Sequence, residues 1–179
     1  MANCVNYNCS ELPDWTANDC NSILLGGISS FIILECDNQL TDPSSASDIN
    51  TEIAAGRATL IEDVKVSIEA ASPIEIESDV SCQPPRTVNY DRSGSLIDAN
   101  VSDDNVNFYN NLFDGRAFGG IIIYECDSDQ VTWIDAAVRF SGSRLIPNDS
   151  NDRQRFEGTF KWKALNNGRI YSAPTGIFT

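Results

Sequence analysis

The residues of this chain that could do chemistry are six cysteines (Cys4, Cys9, Cys20, Cys36, Cys82, Cys126), 26 carboxylates and the lysines Lys65, Lys161 and Lys163; histidine is absent from all 179 residues. Nucleophilic catalysis by Ser or Cys needs an activating base beside the nucleophile, and histidine is the usual one. Of the lysines, Lys161 and Lys163 alternate along the polar side of a strand-like segment, which reads as an exposed face that would not activate them. The carboxylates are abundant, yet none stands in a motif that separates a glycosidase pair from solvated surface. Gly26-Gly27 and Gly119-Gly120 lack the spacing and the lysine of a phosphate-binding loop. Asp127-Ser128-Asp129 and Asn148-Asp149-Ser150-Asn151-Asp152 offer oxygen ligands, but neither matches the calcium loop, and both read as polar hairpin loops. No Cys-x-x-Cys pair exists, so the thiols read as mostly free, with Cys36 and Cys126 as small hydrophobes at strand ends. The expectation is a protein that is not an enzyme and holds no metal or cofactor.

Charge points instead to association. The net charge is −14, which argues against ordinary nucleic-acid binding, because Lys and Arg must neutralise phosphates there. The charge is also polarised. Residues 1–56 carry eight acids and no Lys or Arg, whereas residues 139–179 carry seven bases (Arg139, Arg144, Arg153, Arg155, Lys161, Lys163, Arg169) against three acids. An acidic surface of one copy meeting a basic surface of the next would steer head-to-tail association. The candidate assembly interface is therefore Arg139, Arg144, Arg153, Arg155, Lys161 and Lys163.

These residues need elements to position them. Residues 1–22 are polar and Asn/Cys-rich and read as an arm; residues 23–179 read as a single β-rich domain. The apolar run from Ile23 to Leu34 is broken by Gly26, Gly27, Ser29 and Ser30 and falls short of the ~20 residues that cross a bilayer, so a membrane partner is not expected. The start of the chain lacks a secretory pattern, which suits synthesis in a cytoplasm. Ile28–Glu35 reads as a buried strand, and Ser47 or Asp48 as the cap of a short helix through Ala55. From Thr59 the period is two: Val64, Val66 and Ile68 against Lys65, Ser67 and Glu69, then Ile74 and Ile76 against Glu75 and Glu77. A strand at Thr87–Tyr90 follows, then a hairpin turn at Arg92-Ser93-Gly94-Ser95. Ser102-Asp103-Asp104 caps a helix with an apolar stripe of Val106, Tyr109, Leu112 and Phe113. Strands are expected at Phe118–Glu125, Val131–Phe140 and Arg169–Ser172. Between the last two lies Arg155–Lys163, with Phe156, Gly158, Phe160 and Trp162 on one face. The sum is a mainly β protein, a β-sandwich or barrel of about eight strands with one or two short helices. A block around Glu35-Cys36-Asp37 is echoed 90 residues later at Glu125-Cys126-Asp127, which reads either as a duplication into two similar sheet halves or as convergent strand-end patterning.

The stretch from Asp103 to Lys163 resembles the tail-tube proteins of tailed bacteriophages. The resemblance rests on the helix Asn105–Phe113, the Trp133 strand, Val138-Arg139-Phe140-Ser141-Gly142 and the closing Arg155–Lys163, with Gly26-Gly27-Ile28 near the start. It implies a β-barrel or sandwich subunit with a flanking helix. Copies would form a hexameric ring, rings would stack, and the lumen would pass DNA. An acidic lumen would repel the phosphate backbone and let it slide. The partners would then be copies of the chain and other virion proteins, and the location the virion. The polar first 22 residues depart from a compact tube subunit and leave open a capsid auxiliary or head-decoration protein with a clamping arm. A third possibility is a glycan- or receptor-binding β-sandwich using Trp15, Trp133, Tyr124 and Tyr171 as stacking platforms.

Overall fold

The computed structural model describes residues 29–77, 86–125, 129–148, 153–166 and 168–178. The expected N-terminal arm lies outside the described residues, as do every cysteine but Cys36 and most of the two Asp-rich loops. The described chain is mainly β: ten strands in one antiparallel sheet and two helices.

In chain order the elements are β1 (Ser29–Leu34), α1 (Ala46–Ala54), β2 (Ala58–Ile68), β3 (Ser72–Ile76), β4 (Arg86–Asp98), α2 (Asp103–Leu112), β5 (Ala117–Phe118), β6 (Gly120–Glu125), β7 (Gln130–Ile134), β8 (Val138–Leu145), β9 (Arg155–Lys163) and β10 (Arg169–Ser172). The sheet runs β10-β7-β6-β1-β2-β4-β9-β8-β5, with β3 added beside β4. Only Gly119 separates β5 from β6, so the path from β6 round to β8 curls back to meet its own beginning at that corner. A Cβ on Gly119 would strike the carbonyl of Glu35, and the Gly119 N–H donates to the Leu34 carbonyl at 2.7 Å. Glycine permits that close approach.

The curl encloses one apolar cluster. Phe31 and Ile33 of β1, Ile61 and Val64 of β2, Leu96 of β4, Phe140 of β8 and Phe156, Phe160 and Trp162 of β9 fill it. The buried face of α2, Phe108, Tyr109 and Leu112, packs into the same cluster. A second cluster lies on the other side of β1, β6 and β7, where Ile32, Leu34, Ile122 and Trp133 meet Ile49 of α1 and Ile177 near the C-terminus. Strands β1 and β6 are therefore buried on both faces, which explains their unbroken apolar runs. They are also the two echoed blocks. They pair antiparallel, with Ile32 opposite Ile122, the two positions that correspond in the echo. One demand, double-sided burial, accounts for both.

Several local expectations change. Arg92-Ser93-Gly94-Ser95 is no turn: it lies in the middle of the 13-residue β4. Gly94 is needed there because a Cβ would collide with the Phe160 ring opposite, and Arg92 is buried, donating to the carbonyls of Ala164 (3.0 Å) and Leu165 (3.2 Å). A glycine beside polar residues signals a turn and a close approach equally well. Helix α1 is capped by Ser45, whose hydroxyl accepts from the Asp48 N–H, and not by Ser47 or Asp48. On α2 the cap is Ser102 as expected, but Phe108 is fully buried while Val106 and Phe113 are only partly so. The expected strand Val131–Phe140 is two strands, β7 and β8, which do not pair with each other: β7 joins β6 and β10, and β8 joins β9 and β5.

Candidate assembly surface

The period-two pattern of β9 sends Phe156, Gly158, Phe160 and Trp162 inward and leaves Thr159, Lys161 and Lys163 exposed. Register carries the same division across the neighbouring strands. Ser67, Ser95, Thr159 and Ser141 stand opposite one another on β2, β4, β9 and β8, forming a row of hydroxyls across four strands. Ser67 and Ser95 Oγ atoms are 2.7 Å apart, and Ser141 Oγ lies 3.0 Å from Thr159 Oγ1. The next row is charged: Ser93, Lys161 and Arg139 in register, with Ser93 donating to Glu69 at 2.7 Å.

Of the six residues expected to form an assembly interface, Arg139, Arg155, Lys161 and Lys163 fall on this outward face. Arg139 and Lys161 are directly opposite each other, and Lys163 sits 3.6 Å from Asp91. Arg155 is half-buried and its Nε donates to Glu157 Oε1 at 2.6 Å, so that pair is internal. Arg153 is exposed just ahead of β9. Arg144 belongs elsewhere: it stands opposite Phe156, on the inward side of β8 but past the end of the core, where it is exposed and donates to Gln154 Oε1 at 2.5 Å. The structure thus gathers four of the six and separates Arg144 from them.

A feature that charge counting misses is the ribbon formed by β3 and the first part of β4. Among the described residues, 72–76 pair only with 86–91, and neither strand contributes a buried side chain there. Ile76 is 58% exposed, and Val88 is exposed on the facing strand. Glu75, Glu77 and Asp91 are exposed on the same ribbon, against Arg86. The alternation Ile74-Glu75-Ile76-Glu77 reads as a half-buried strand, but nothing local to it shows that both its sides face solvent. A second exposed apolar site lies at the end of β8, where Leu145 is 36% and Ile146 62% exposed.

The aromatic residues proposed as stacking platforms are engaged within the protein. Trp133 is buried in the second cluster, 6.1 Å centroid to centroid from Tyr171, and Tyr124 stacks on Phe178 at 4.6 Å. Trp15 lies outside the described residues. A shallow groove of about 470 Å³ over β4, β9 and β8 is lined by Ser95, Ile97, Ser141, Glu157 and Thr159, with no aromatic side chain. Among the described residues no group of three Cys, Asp or Glu is placed to hold a metal ion, and no helix is long and apolar enough to cross a membrane.

Fold and surface together define a class, an acidic, mainly β domain that presents a projecting ribbon and a basic strand face. Set against protein-family models, curated proteins and solved structures, the chain matches none of them.

Proposed function

We propose that the chain is a virion structural protein, a self-assembling subunit of a phage tail tube or ring through which DNA passes. The observation that carries this reading is the β3–β4 ribbon. A two-stranded ribbon with no core of its own is marginal in water, yet this one keeps Ile76 and Val88 exposed toward one end. Such a ribbon gains stability by packing on a neighbouring molecule, and a subunit repeated many times supplies that neighbour at high local concentration. The net charge of −14 suits a wall along which DNA slides without sticking. The hydroxyl row offers a flat, largely uncharged surface for contact between copies.

The test is direct. Purified full-length chain is examined by sedimentation and negative-stain microscopy across protein concentrations, from about 0.1 M to about 1 M salt, where the Debye length falls from ~10 Å to ~3 Å. Rings or tubes, forming more slowly as salt rises, are the expected result. A monomer under every condition overturns the reading, and binding only to preformed shells would replace the tube with a head-decoration role.

A further inference from the structure

Leu165 and Ile170 are exposed near β10, and two further exposed apolar sites, Ile76 on the ribbon and Leu145–Ile146 at the end of β8, lie at opposite poles of the molecule. Ile76 is level with Arg86, the first residue of β4. Arg144 is level with Phe156, which is itself level with Asp98, the last residue of β4. Twelve residue steps of strand separate those levels along β4, about 40 Å at ~3.3 Å per residue. A single chain therefore cannot bring the two sites together within itself. A second copy displaced along the β4 axis can.

The sites also complement each other chemically. At the ribbon pole, exposed Ile76 is flanked by exposed Glu75 and Glu77, which outnumber the exposed Arg86 opposite it on β4. At the β8 pole, exposed Leu145 and Ile146 are flanked by exposed Arg144 and Arg153. Both poles end in strand edges that remain open among the described residues. Strand β3 pairs on one side only, with β4, and β5 covers β8 only at Val138 and Arg139, leaving Phe140–Leu145 uncovered on that edge. Pro73, which has no N–H, keeps the start of β3 from acting as a donor and confines any strand-to-strand approach to Ile74–Ile76.

Resting on the assembly reading above, we propose that the occupant of the β8 pole is the ribbon of a second copy of this chain. Ile76 packs on Leu145 and Ile146, and Glu75 and Glu77 face Arg144. The contact is heterologous: each copy uses its ribbon toward one neighbour and its β8 pole toward another. Such a contact propagates into a ring or a filament and does not stop at a dimer. Like-to-like contact is opposed, because it sets Glu against Glu or Arg against Arg.

The experiment exploits that asymmetry. One variant carries Glu75→Arg and Glu77→Arg; a second carries Arg144→Glu with Arg153→Glu. All four side chains are exposed, so thermal unfolding serves to confirm that each variant is folded. Each alone juxtaposes like charges and should assemble at least about tenfold more weakly than the unaltered chain. Mixed in equal amounts, each ribbon finds a pole of opposite sign, and assembly should return with the two variants alternating. As a second measurement, a chain with Ile76→Cys is mixed with a chain bearing Ile146→Cys under mild oxidation. A disulfide-linked dimer should form in the mixture and not with either chain plus the unaltered protein. Variants that assemble like the unaltered chain, or a mixture that stays dissociated and uncross-linked, overturn this contact while self-assembly itself stands. An unaltered chain that never assembles overturns both.

Discussion

The Tyr109 hydroxyl donates a 2.7 Å hydrogen bond to Oδ2 of Asp98, in a core where Tyr109 is 0% and Asp98 1% exposed. It ties α2 to the last residue of β4. Asp98 also accepts from the Asn100 N–H at 2.6 Å, and Asn105 of α2 donates to the Asn100 carbonyl at 3.3 Å. The Tyr109 ring stacks on Phe156 at 4.3 Å, the residue opposite Asp98 on β9. A buried carboxylate is tolerable only when hydrogen-bonded, and here the helix that closes the core supplies one of its donors.

Removing that donor should be costly. Tyr109→Phe keeps the packing and takes one hydrogen bond from a buried carboxylate, so urea unfolding should register a loss of about 1–3 kcal/mol. Burial, then the Asp98 charge and its hydrogen bond, push the Tyr109 hydroxyl well above its ordinary value of 10.0. The unfolded chain therefore releases this proton first. The tyrosine's contribution is intact below about pH 10 and declines as pH rises past the unfolded value. In Tyr109→Phe that part of the alkaline decline should vanish; an identical alkaline slope in both proteins would show that Tyr109 is not its source.

At the other end of the pH scale, Glu52 is the group to watch. Its Oε1 accepts from Arg57 Nη2 at 2.8 Å, and Oε2 accepts from Arg57 Nε and the Gln39 N–H, each at 3.0 Å. The Arg57 hydrogen bond holds its carboxyl below the usual 4.5, against burial. Its stabilisation is present above that value and is lost as pH falls through the lowered one. Glu52→Gln should therefore destabilise the protein by about 1–3 kcal/mol at pH 7. The deficit should shrink in acid, and chemical unfolding at several pH values checks the trend.

The β9 face offers a packing test. Phe160→Ala should cost about 3–5 kcal/mol, the usual penalty for truncating a buried aromatic, while Lys161→Ala should stay within about 0.5 kcal/mol. A loss below about 1 kcal/mol for Phe160 would contradict its place in the core.

Gly158 and Phe113 should prove energetically coupled. A Cβ on Gly158 would lie 2.6 Å and 2.7 Å from Phe113 ring atoms, so the ring occupies the space that glycine leaves. Gly158→Ala should be destabilising in the unaltered chain and clearly less so after Phe113→Ala. A double-mutant cycle measures the difference, and additive losses would mean the ring does not rest there.

Ser45→Ala and Ser102→Ala should each cost about 1 kcal/mol through loss of a helix cap, whereas Ser47→Ala should be nearly silent. Thermal unfolding of the three variants distinguishes the observed cap from its neighbour.

The sequence by itself determined the class of fold, because period-two alternation over Arg155–Lys163 survives any arrangement of neighbouring strands. In β2 the expected alternation fails, since Ile61 and Val64 are both buried three residues apart across Asp63 at φ 58°, and Ile68 is exposed. The sequence determined the position of α2, since Ser102 and the stripe containing Tyr109 and Leu112 are local signals. It also determined the charge asymmetry, and with it the choice of Arg139, Lys161 and Lys163 as surface residues. Only the tertiary structure decided that β8 continues past Phe140 to Leu145, and with it that Arg144, five residues from Arg139 in the same strand, points to the opposite side. Only it decided that Arg92-Ser93-Gly94-Ser95 runs straight, because the reason for Gly94 is a ring 66 residues away on β9. The ribbon is the clearest case. Ile74 and Ile76 alternate with Glu75 and Glu77 like any half-buried strand, and alternation states which residues share a side of the strand. It carries no information on whether anything packs against that side, since burial is supplied by segments distant in the chain.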